Sequence, residues 1–343
     1  MKTKVLLNGV GRIGKIILRL LNQNEAFEIT TINEINPYIE NITYSINHDS
    51  TYGNIEDKFK ITDKNYIQNS SSKIKILNHS CLKDIDLSNI DIIIDASGKK
   101  EDKNILQNLN VEAVFLTHAN ANADINIILG VNEKKLDIKR HKVISTSSCN
   151  ATALLPALNI ITEKKQILCG DIVTIHPLLN HQRVLDGSFV GSPTRDVECN
   201  FEFGRSATQN IIPNKTTTIE ACSYVCSNIN SELISSNSLR VPTDTVGTIN
   251  VTLFLKEKCS KNEIIDIFED YEENQEFPIM LNNYEPLVSS DFKKENKTTI
   301  IDHRYTDVKN QNMIKLLLWY DNEWGYASKV VEIMKYYKDI KKG

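Results

Sequence analysis

Val5-Leu6-Leu7-Asn8-Gly9-Val10-Gly11-Arg12-Ile13-Gly14 is the stretch that decides the fold. Val5–Asn8 reads as a short buried strand. Ile13, Ile16, Ile17, Leu20 and Leu21 then fall at i, i+3, i+4, i+7 and i+8, one face of a helix. Between them Gly9, Gly11 and Gly14 complete a G-x-G-x-x-G pattern. The first glycine permits the tight turn, the second lets a pyrophosphate approach the backbone, and the third lets helix and strand pack closely. Glu28–Asn33 is the next strand, and Glu34 stands just past it. A carboxylate there accepts hydrogen bonds from an adenosine ribose and repels a 2′-phosphate. Gly9, Gly11, Arg12, Ile13, Gly14 and Glu34 therefore form a candidate dinucleotide site, with NAD preferred over NADP.

Moving outward, the strand–helix alternation continues through Asp91–Asp95, Val114–Thr117 and Ile127–Leu129. Solidly apolar strands in this rhythm predict a doubly wound parallel sheet covered on both faces, a Rossmann-type α/β domain. Residues 40–80 are polar and Asn/Ser-rich, and read as surface hairpins and loops. After Cys149 the texture changes to longer alternating strands such as Thr248–Leu255, the mark of a half-exposed antiparallel or mixed sheet. Residues 186–218 read as one long ordered loop. A strand at Met313–Trp319 and a helix from about Ala327 to Tyr337 close the chain. The expected division is a nucleotide-binding domain over 1–148 and a catalytic α+β domain over 149–324, with a helix at 325–343 packing back on the first.

The second informative stretch is Ser147-Ser148-Cys149-Asn150-Ala151-Thr152, with Ile175-His176-Pro177 farther on. Cys149 stands where the strand-like run 142–146 gives way to a helix-like run. Unpaired N–H groups at a helix start favour a thiolate. A histidine at the end of a later strand is placed to exchange protons with that sulfur.

Bulk properties exclude several classes. The chain has 343 residues, a formal net charge of −4 and 24% charged residues, which argues against a nucleic-acid binder. Seven cysteines without a C-x-x-C pair make neither a disulfide framework nor a zinc site, so no metal is expected. No apolar run is long enough to span a membrane. Asn8-Gly9 and Gly11-Arg12 interrupt the apolar start, which speaks against a signal peptide. The default address is the cytoplasm.

The chain resembles the phosphorylating glyceraldehyde-3-phosphate dehydrogenases and their relatives, the erythrose-4-phosphate dehydrogenases. The resemblance runs in order through Asn8–Gly14, Asp49-Ser50-Thr51-Tyr52-Gly53, Ala96-Ser97-Gly98, Gly130-Val131-Asn132 and Ser147-Ser148-Cys149. It continues through Gln209–Pro213, Leu239-Arg240-Val241-Pro242-Thr243 and Trp319–Tyr326. It implies Cys149 as nucleophile and His176 as base. It implies Arg240, Thr216 and Ser148 as phosphate-binding residues, with Asn150 beside them. Ser97, Thr117, Asn322 and Tyr326 match cofactor-contacting segments. A homotetramer is implied, the long loop reaching a neighbouring subunit's cofactor. The chain departs from the family where Asn150, Ala151 and Thr152 replace a usual Thr-Thr-Asn, one threonine of which helps hold inorganic phosphate. Leu178, Leu179, Asn180 and His181 also replace a more polar run.

The expected chemistry is NAD-dependent oxidation of a phosphorylated aldehyde, glyceraldehyde 3-phosphate, through a cysteine thiohemiacetal and thioester that inorganic phosphate releases as an acyl phosphate. Asn33-Glu34 and Thr117-His118 lean toward the alternative, erythrose 4-phosphate oxidised to the acid with water as acceptor. A third reading is a non-catalytic nucleotide-binding relative.

Overall fold

A computed structural model of the chain describes residues 2–22, 24–188 and 201–342. Residues 189–200, and with them part of the expected loop over 186–218, lie outside the described residues. The described chain divides into two compact units. One holds residues 1–127, 134–147 and 327–343; the other holds 128–133 and 148–326.

The first unit contributes β1 (Thr3–Asn8), α1 (Arg12–Leu21), β2 (Phe27–Asn33), α2 (Ile39–Asn47), β3 (Lys60–Asp63), β4 (Tyr66–Gln68) and β5 (Lys73–Leu77), then β6 (Ile92–Asp95), α3 (Lys103–Asn108), β7 (Ala113–Leu116), β8 (Ile125–Asn126) and β9 (Val143–Ser145). Its nine-stranded sheet has the order β3-β4-β5-β2-β1-β6-β7-β9-β8. All neighbours from β5 to β8 run parallel, while β3, β4 and β5 pair antiparallel. Val5–Leu7 of β1, Ile92–Ile94 of β6 and Ala113–Leu116 of β7 are all buried, as strands covered on both faces must be. From β1 the chain winds one way to β2 and β5, then the other way to β6 and β7. The strand order therefore reverses between β1 and β6, and the crevice beyond their carboxyl ends is where open α/β sheets take ligands. This is a Rossmann-type doubly wound sheet.

Three segments differ from the sequence reading. Inside the expected loop over 186–218, Ile212–Asn214 is a short strand paired antiparallel with residues 238–240, the loop chain adding itself to a free sheet edge. Residues 39–47, read as loop, form α2: Ile42, Thr43 and Ile46 repeat with helical spacing and are buried, a stripe that the intervening polar residues mask. Ile127–Leu129, read as a strand, is buried but leaves the ladder. The Ile127 N–H still bonds the Ser145 carbonyl, yet the Ile128 N–H turns to Asn132 Oδ1, which folds the chain into a turn ending at Asn132. Burial without alternation marks a core segment of either kind, and only β8, just before it, is strand.

The second unit contributes α4 (Cys149–Lys164), β10 (Ile167–His176), β11 (Ile212–Asn214), α5 (Thr218–Ser223), β12 (Ile234–Arg240), β13 (Gly247–Leu255), α6 (Lys261–Asn274), β14 (Met280–Asn283), β15 (Thr299–Asp302), β16 (Asp307–Lys309) and β17 (Met313–Tyr320). Its sheet runs β11-β12-β10-β13-β17-β15-β14, with β16 added on β17. The β10–β12 and β14–β15 pairs are parallel and the rest antiparallel, so the sheet is mixed. Helix α4 is buried along most of its length and contains Pro156. A proline there removes the N–H that would bond the Thr152 carbonyl four residues back. The Thr299 hydroxyl of β15 stands in, donating to the Ala153 carbonyl at 2.9 Å and reaching the Thr152 carbonyl at 3.4 Å.

The final helix, α7 (Trp324–Lys342), belongs to the first unit from Ala327 onward. There Tyr337 meets Phe115 of β7 edge-on at 5.5 Å, Lys338 donates to the Ala26 carbonyl, and Lys341 pairs with Glu112.

Candidate active site

In the first unit the glycine loop follows β1 directly. Gly9 has φ +90°, and a Cβ there would fall 2.7 Å from Ser97 Cα, in the turn after β6. A Cβ on Gly14 would strike the Gly9 carbonyl oxygen at 2.0 Å, whereas one on Gly11 would meet nothing within 4 Å. Gly9 and Gly14 are thus fixed by the protein's own backbone, and Gly11 opens a cradle at the start of α1. Helix starts offer free N–H groups and partial positive charge to an anion. Glu34, at the end of β2, accepts from the Val10 N–H at 2.9 Å through Oε2 and from the Asn36 N–H at 3.3 Å through Oε1. Each oxygen keeps acceptor capacity for a ribose hydroxyl. Open cradle, helix start and terminal carboxylate together fit NAD.

Other candidates in this unit support that surface. Ile13 is half-buried in the first turn of α1. Arg12 pairs with Asp49 at 2.7 Å, and Lys15 joins the same carboxylate. Although burial opposes it, these cations and the Tyr52 N–H hold the Asp49 carboxyl down to about 2. Ser97 donates to Asp95 Oδ1 at 2.6 Å, and the Thr117 hydroxyl donates to the Asp95 carbonyl at 3.1 Å. Asp95 is buried at the end of β6, and burial raises its pKa against the pull of Ser97, His118 and Asn8.

In the second unit Cys149 opens α4. Ser148 is its N-cap, its hydroxyl oxygen accepting from the Ala151 N–H at 3.3 Å. Ser147 before it has φ +59°, a conformation that costs an ordinary side chain about 1–2 kcal/mol. That turn brings the chain sharply from the strand side into the helix. The Cys149 Sγ lies 3.9 Å from His176 Nε2, at the carboxyl end of β10. His176 is 3% exposed, and its Nδ1 lies 2.9 Å from the Pro177 carbonyl. A carbonyl only accepts, so Nδ1 carries a proton toward Pro177 and Nε2 is the ring nitrogen that faces the sulfur. That is the arrangement of a base beside a thiol.

Arg240 ends β12 in direct register with His176, and is 5% exposed rather than spread on the surface. The Thr216 hydroxyl sits 2.6 Å from that of Thr218, the first residue of α5, and Asn150 Nδ2 donates to Thr218 Oγ1 at 3.2 Å. Asn150 Oδ1 accepts from the Tyr320 hydroxyl at 2.7 Å and lies 3.5 Å from the Cys149 sulfur. Cys149, His176 and Asn150 are thus linked by contacts; Thr216 joins them through Thr218, Arg240 by register, and Ser148 only as the residue that caps the helix before Cys149. Asn322 Oδ1 accepts from the Val246 N–H at 3.0 Å and from the Thr245 hydroxyl at 3.2 Å, fixing the entry to β13, and Tyr326 is buried. His181 meets Phe203 edge-on at 5.5 Å.

Thr218 and Tyr320 were not singled out from the sequence. Tyr320 is fully buried, so its phenol is raised well above its ordinary value and stays protonated; Cys149 pushes the same way and Arg240 opposes. The only sequence signal for it is its place inside Trp319–Tyr326. Among the described residues no cluster of histidine, cysteine or acidic side chains could hold a metal ion. No described helix is long and apolar enough to cross a membrane.

Two family models match the chain. The family model described as glyceraldehyde 3-phosphate dehydrogenase, NAD binding domain, matches residues 3–103. That described as glyceraldehyde 3-phosphate dehydrogenase, C-terminal domain, matches residues 148–322. The chain is 31% identical over 340 residues to "Glyceraldehyde-3-phosphate dehydrogenase 2" of Staphylococcus epidermidis, covering 97% of this chain and 95% of that one. It is 30% identical over 342 residues to the protein of the same name from Bacillus subtilis, covering 98% and 97%. A Staphylococcus aureus protein of that name is 31% identical over 342 residues, covering 97% and 95%.

Proposed function

Because the chain belongs to the glyceraldehyde-3-phosphate dehydrogenase family and is an NAD-dependent dehydrogenase, we propose that it oxidises glyceraldehyde 3-phosphate, with inorganic phosphate taking up the acyl group. The observation that carries this reading is the Cys149–His176 pair, with the proton of the imidazole committed to Pro177.

The Cys149 sulfur attacks the aldehyde carbon and forms a thiohemiacetal: a C–S bond replaces the C=O π bond, and the thiol's proton passes by way of His176 Nε2 to the carbonyl oxygen. His176 Nε2 takes the hydroxyl proton as the C=O bond re-forms. Bound NAD would supply the acceptor for the hydride that leaves that carbon. Gly9, Gly11 and Gly14 would hold the pyrophosphate and Glu34 the adenosine ribose, with Arg12, Ile13, Ser97 and Thr117 beside them in the same unit; the family resemblance assigns Asn322 and Tyr326 to the cofactor as well. Attack of inorganic phosphate on the thioester then expels the Cys149 thiolate and gives the acyl phosphate. Arg240 holds the substrate's own phosphate, and Thr216 and the Ser148 hydroxyl hydrogen serve the anions. We assign the enzyme to the cytoplasm, a reading supported by the six described cysteines all being free thiols. We assign it a homotetramer, supported by the exposed apolar side chains Val184, Leu185, Phe201 and Ile211.

NADH formation tests the proposal. Glyceraldehyde 3-phosphate should give turnover that depends on inorganic phosphate. The second reading, erythrose 4-phosphate with water as acceptor, is favoured by Asn150 standing where the family has threonine. Faster turnover of erythrose 4-phosphate, indifferent to inorganic phosphate, would replace the first reading with it.

A further inference from the structure

Asn150 is 8% exposed and lies immediately beside the proposed nucleophile. Its amide is held at both ends. The Tyr320 phenol has one hydrogen to donate, and among the described residues it goes to Asn150 Oδ1 at 2.7 Å. A buried hydroxyl left without an acceptor costs about 1–3 kcal/mol. At the other end Nδ2 donates to Thr218 Oγ1 at 3.2 Å. Turning the amide over would take the acceptor from Tyr320, so one orientation is selected. Gly247 secures it. It faces Tyr320 in the β13–β17 register, and a Cβ there would lie 2.5 Å from the phenol oxygen.

That orientation points an acceptor, not a donor, at the sulfur: Oδ1 is 3.5 Å from Sγ. A carbonyl oxygen accepts from a thiol S–H and repels a thiolate. The start of α4 pulls the other way, toward the thiolate. We propose that Asn150 is a positioning residue for Cys149: locked between Tyr320 and Thr218, its carbonyl oxygen holds the idle sulfur as the thiol and sets the pH at which it becomes a nucleophile. Among the described residues, the titratable or charged groups facing the sulfur include His176 from β10, Tyr320 from β17 and, beside Tyr320, Arg240 from β12. Asn150 adds an uncharged brake to these. The thiolate is also the form that oxidants attack, so the brake shields the cysteine when no substrate is present.

The inference rests on Cys149 being the nucleophile. The experiment is the rate of iodoacetamide alkylation of Cys149 in the full chain against pH, located by peptide mass and run beside the loss of activity. Asn150→Ala should lower the midpoint by about one pH unit, making Cys149 about tenfold faster well below the wild-type midpoint. Tyr320→Phe leaves Asn150 in place but frees its amide to turn Nδ2 to the sulfur, and should lower the midpoint too. Peroxide inactivation should quicken in both. A purely structural role would reduce stability or the plateau rate and leave the midpoint where it was. Midpoints unchanged or raised in the variants that fold overturn the inference. Tyr320→Phe removes a single oxygen and decides alone if Asn150→Ala does not fold. If activity survives complete alkylation of Cys149, the proposed function fails instead, whatever the midpoints do.

Discussion

The glycine loop of the first unit and the cysteine corner of the second place their chemistry by opposite means. The loop works by what is missing. Gly9 and Gly14 leave no room for a Cβ and Gly11 leaves a cradle, all within six consecutive residues. The corner works by what is assembled. Cys149 and Asn150 come from α4, His176 from β10, Arg240 from β12, Thr218 from α5 and Tyr320 from β17, with Tyr320 170 positions from Asn150. A local device tolerates no change of backbone, and an assembled one fails one side chain at a time, each with a separate symptom.

Cys149→Ser should give the largest effect. Turnover should fall by roughly four to six orders of magnitude, the scale for removing a nucleophile. NAD affinity, followed by calorimetry, should stay unchanged, and a parallel loss of affinity would end the separation of the two devices. Arg240→Leu comes next, at about 2–5 kcal/mol in kcat/KM for glyceraldehyde 3-phosphate, the scale for breaking a buried charge pair. Glyceraldehyde without its phosphate should barely notice the change. Equal losses for both substrates would make Arg240 structural.

The loop is probed by a pair. Gly9→Ala forces a methyl against Ser97 at positive φ and should destabilise the chain by about 1–3 kcal/mol in urea. Gly11→Ala should leave stability alone while weakening NAD binding, because its methyl enters only the cradle. If the two behave alike, the loop is not built by omission. Smallest is Thr299→Val, which removes the hydroxyl serving α4 at Pro156 and should cost about 0.5–1.5 kcal/mol. It should leave the alkylation midpoint of Cys149 in place, since Thr299 touches the carbonyls of Thr152 and Ala153 rather than the sulfur's neighbours.

The same contrast explains what the sequence disclosed. Strand, glycines, helix and terminal acid follow one another along the chain, so the doubly wound sheet could be read directly, whereas its switch point needed the strand order. Cys149 was legible from its place between a strand-like and a helix-like run, and His176 from its place ending a later strand. Tyr320 and Thr218 were not, because nothing in their own neighbourhoods says that they meet Asn150. Helix α2 was missed because its buried stripe of Ile42, Thr43 and Ile46 is narrow and set among asparagines and serines. Ile127–Leu129 was misread because an unbroken apolar run reports burial, not conformation, and Asn132 four residues on supplied the bond that bent it.

The closing helix has a consequence for how the chain is made. Residues from Ala327 onward complete the first unit, so that unit is begun before the second is made and finished only after it. Phe115 waits for Tyr337 while roughly 220 further residues are added, about 10–45 seconds at ordinary rates of synthesis. Through that interval the face of the sheet that α7 will cover is bare, and a nascent chain in that condition is a client for chaperones. Removing α7, or unwinding its last turns, would then harm the nucleotide-binding unit more than two hundred positions earlier in the chain.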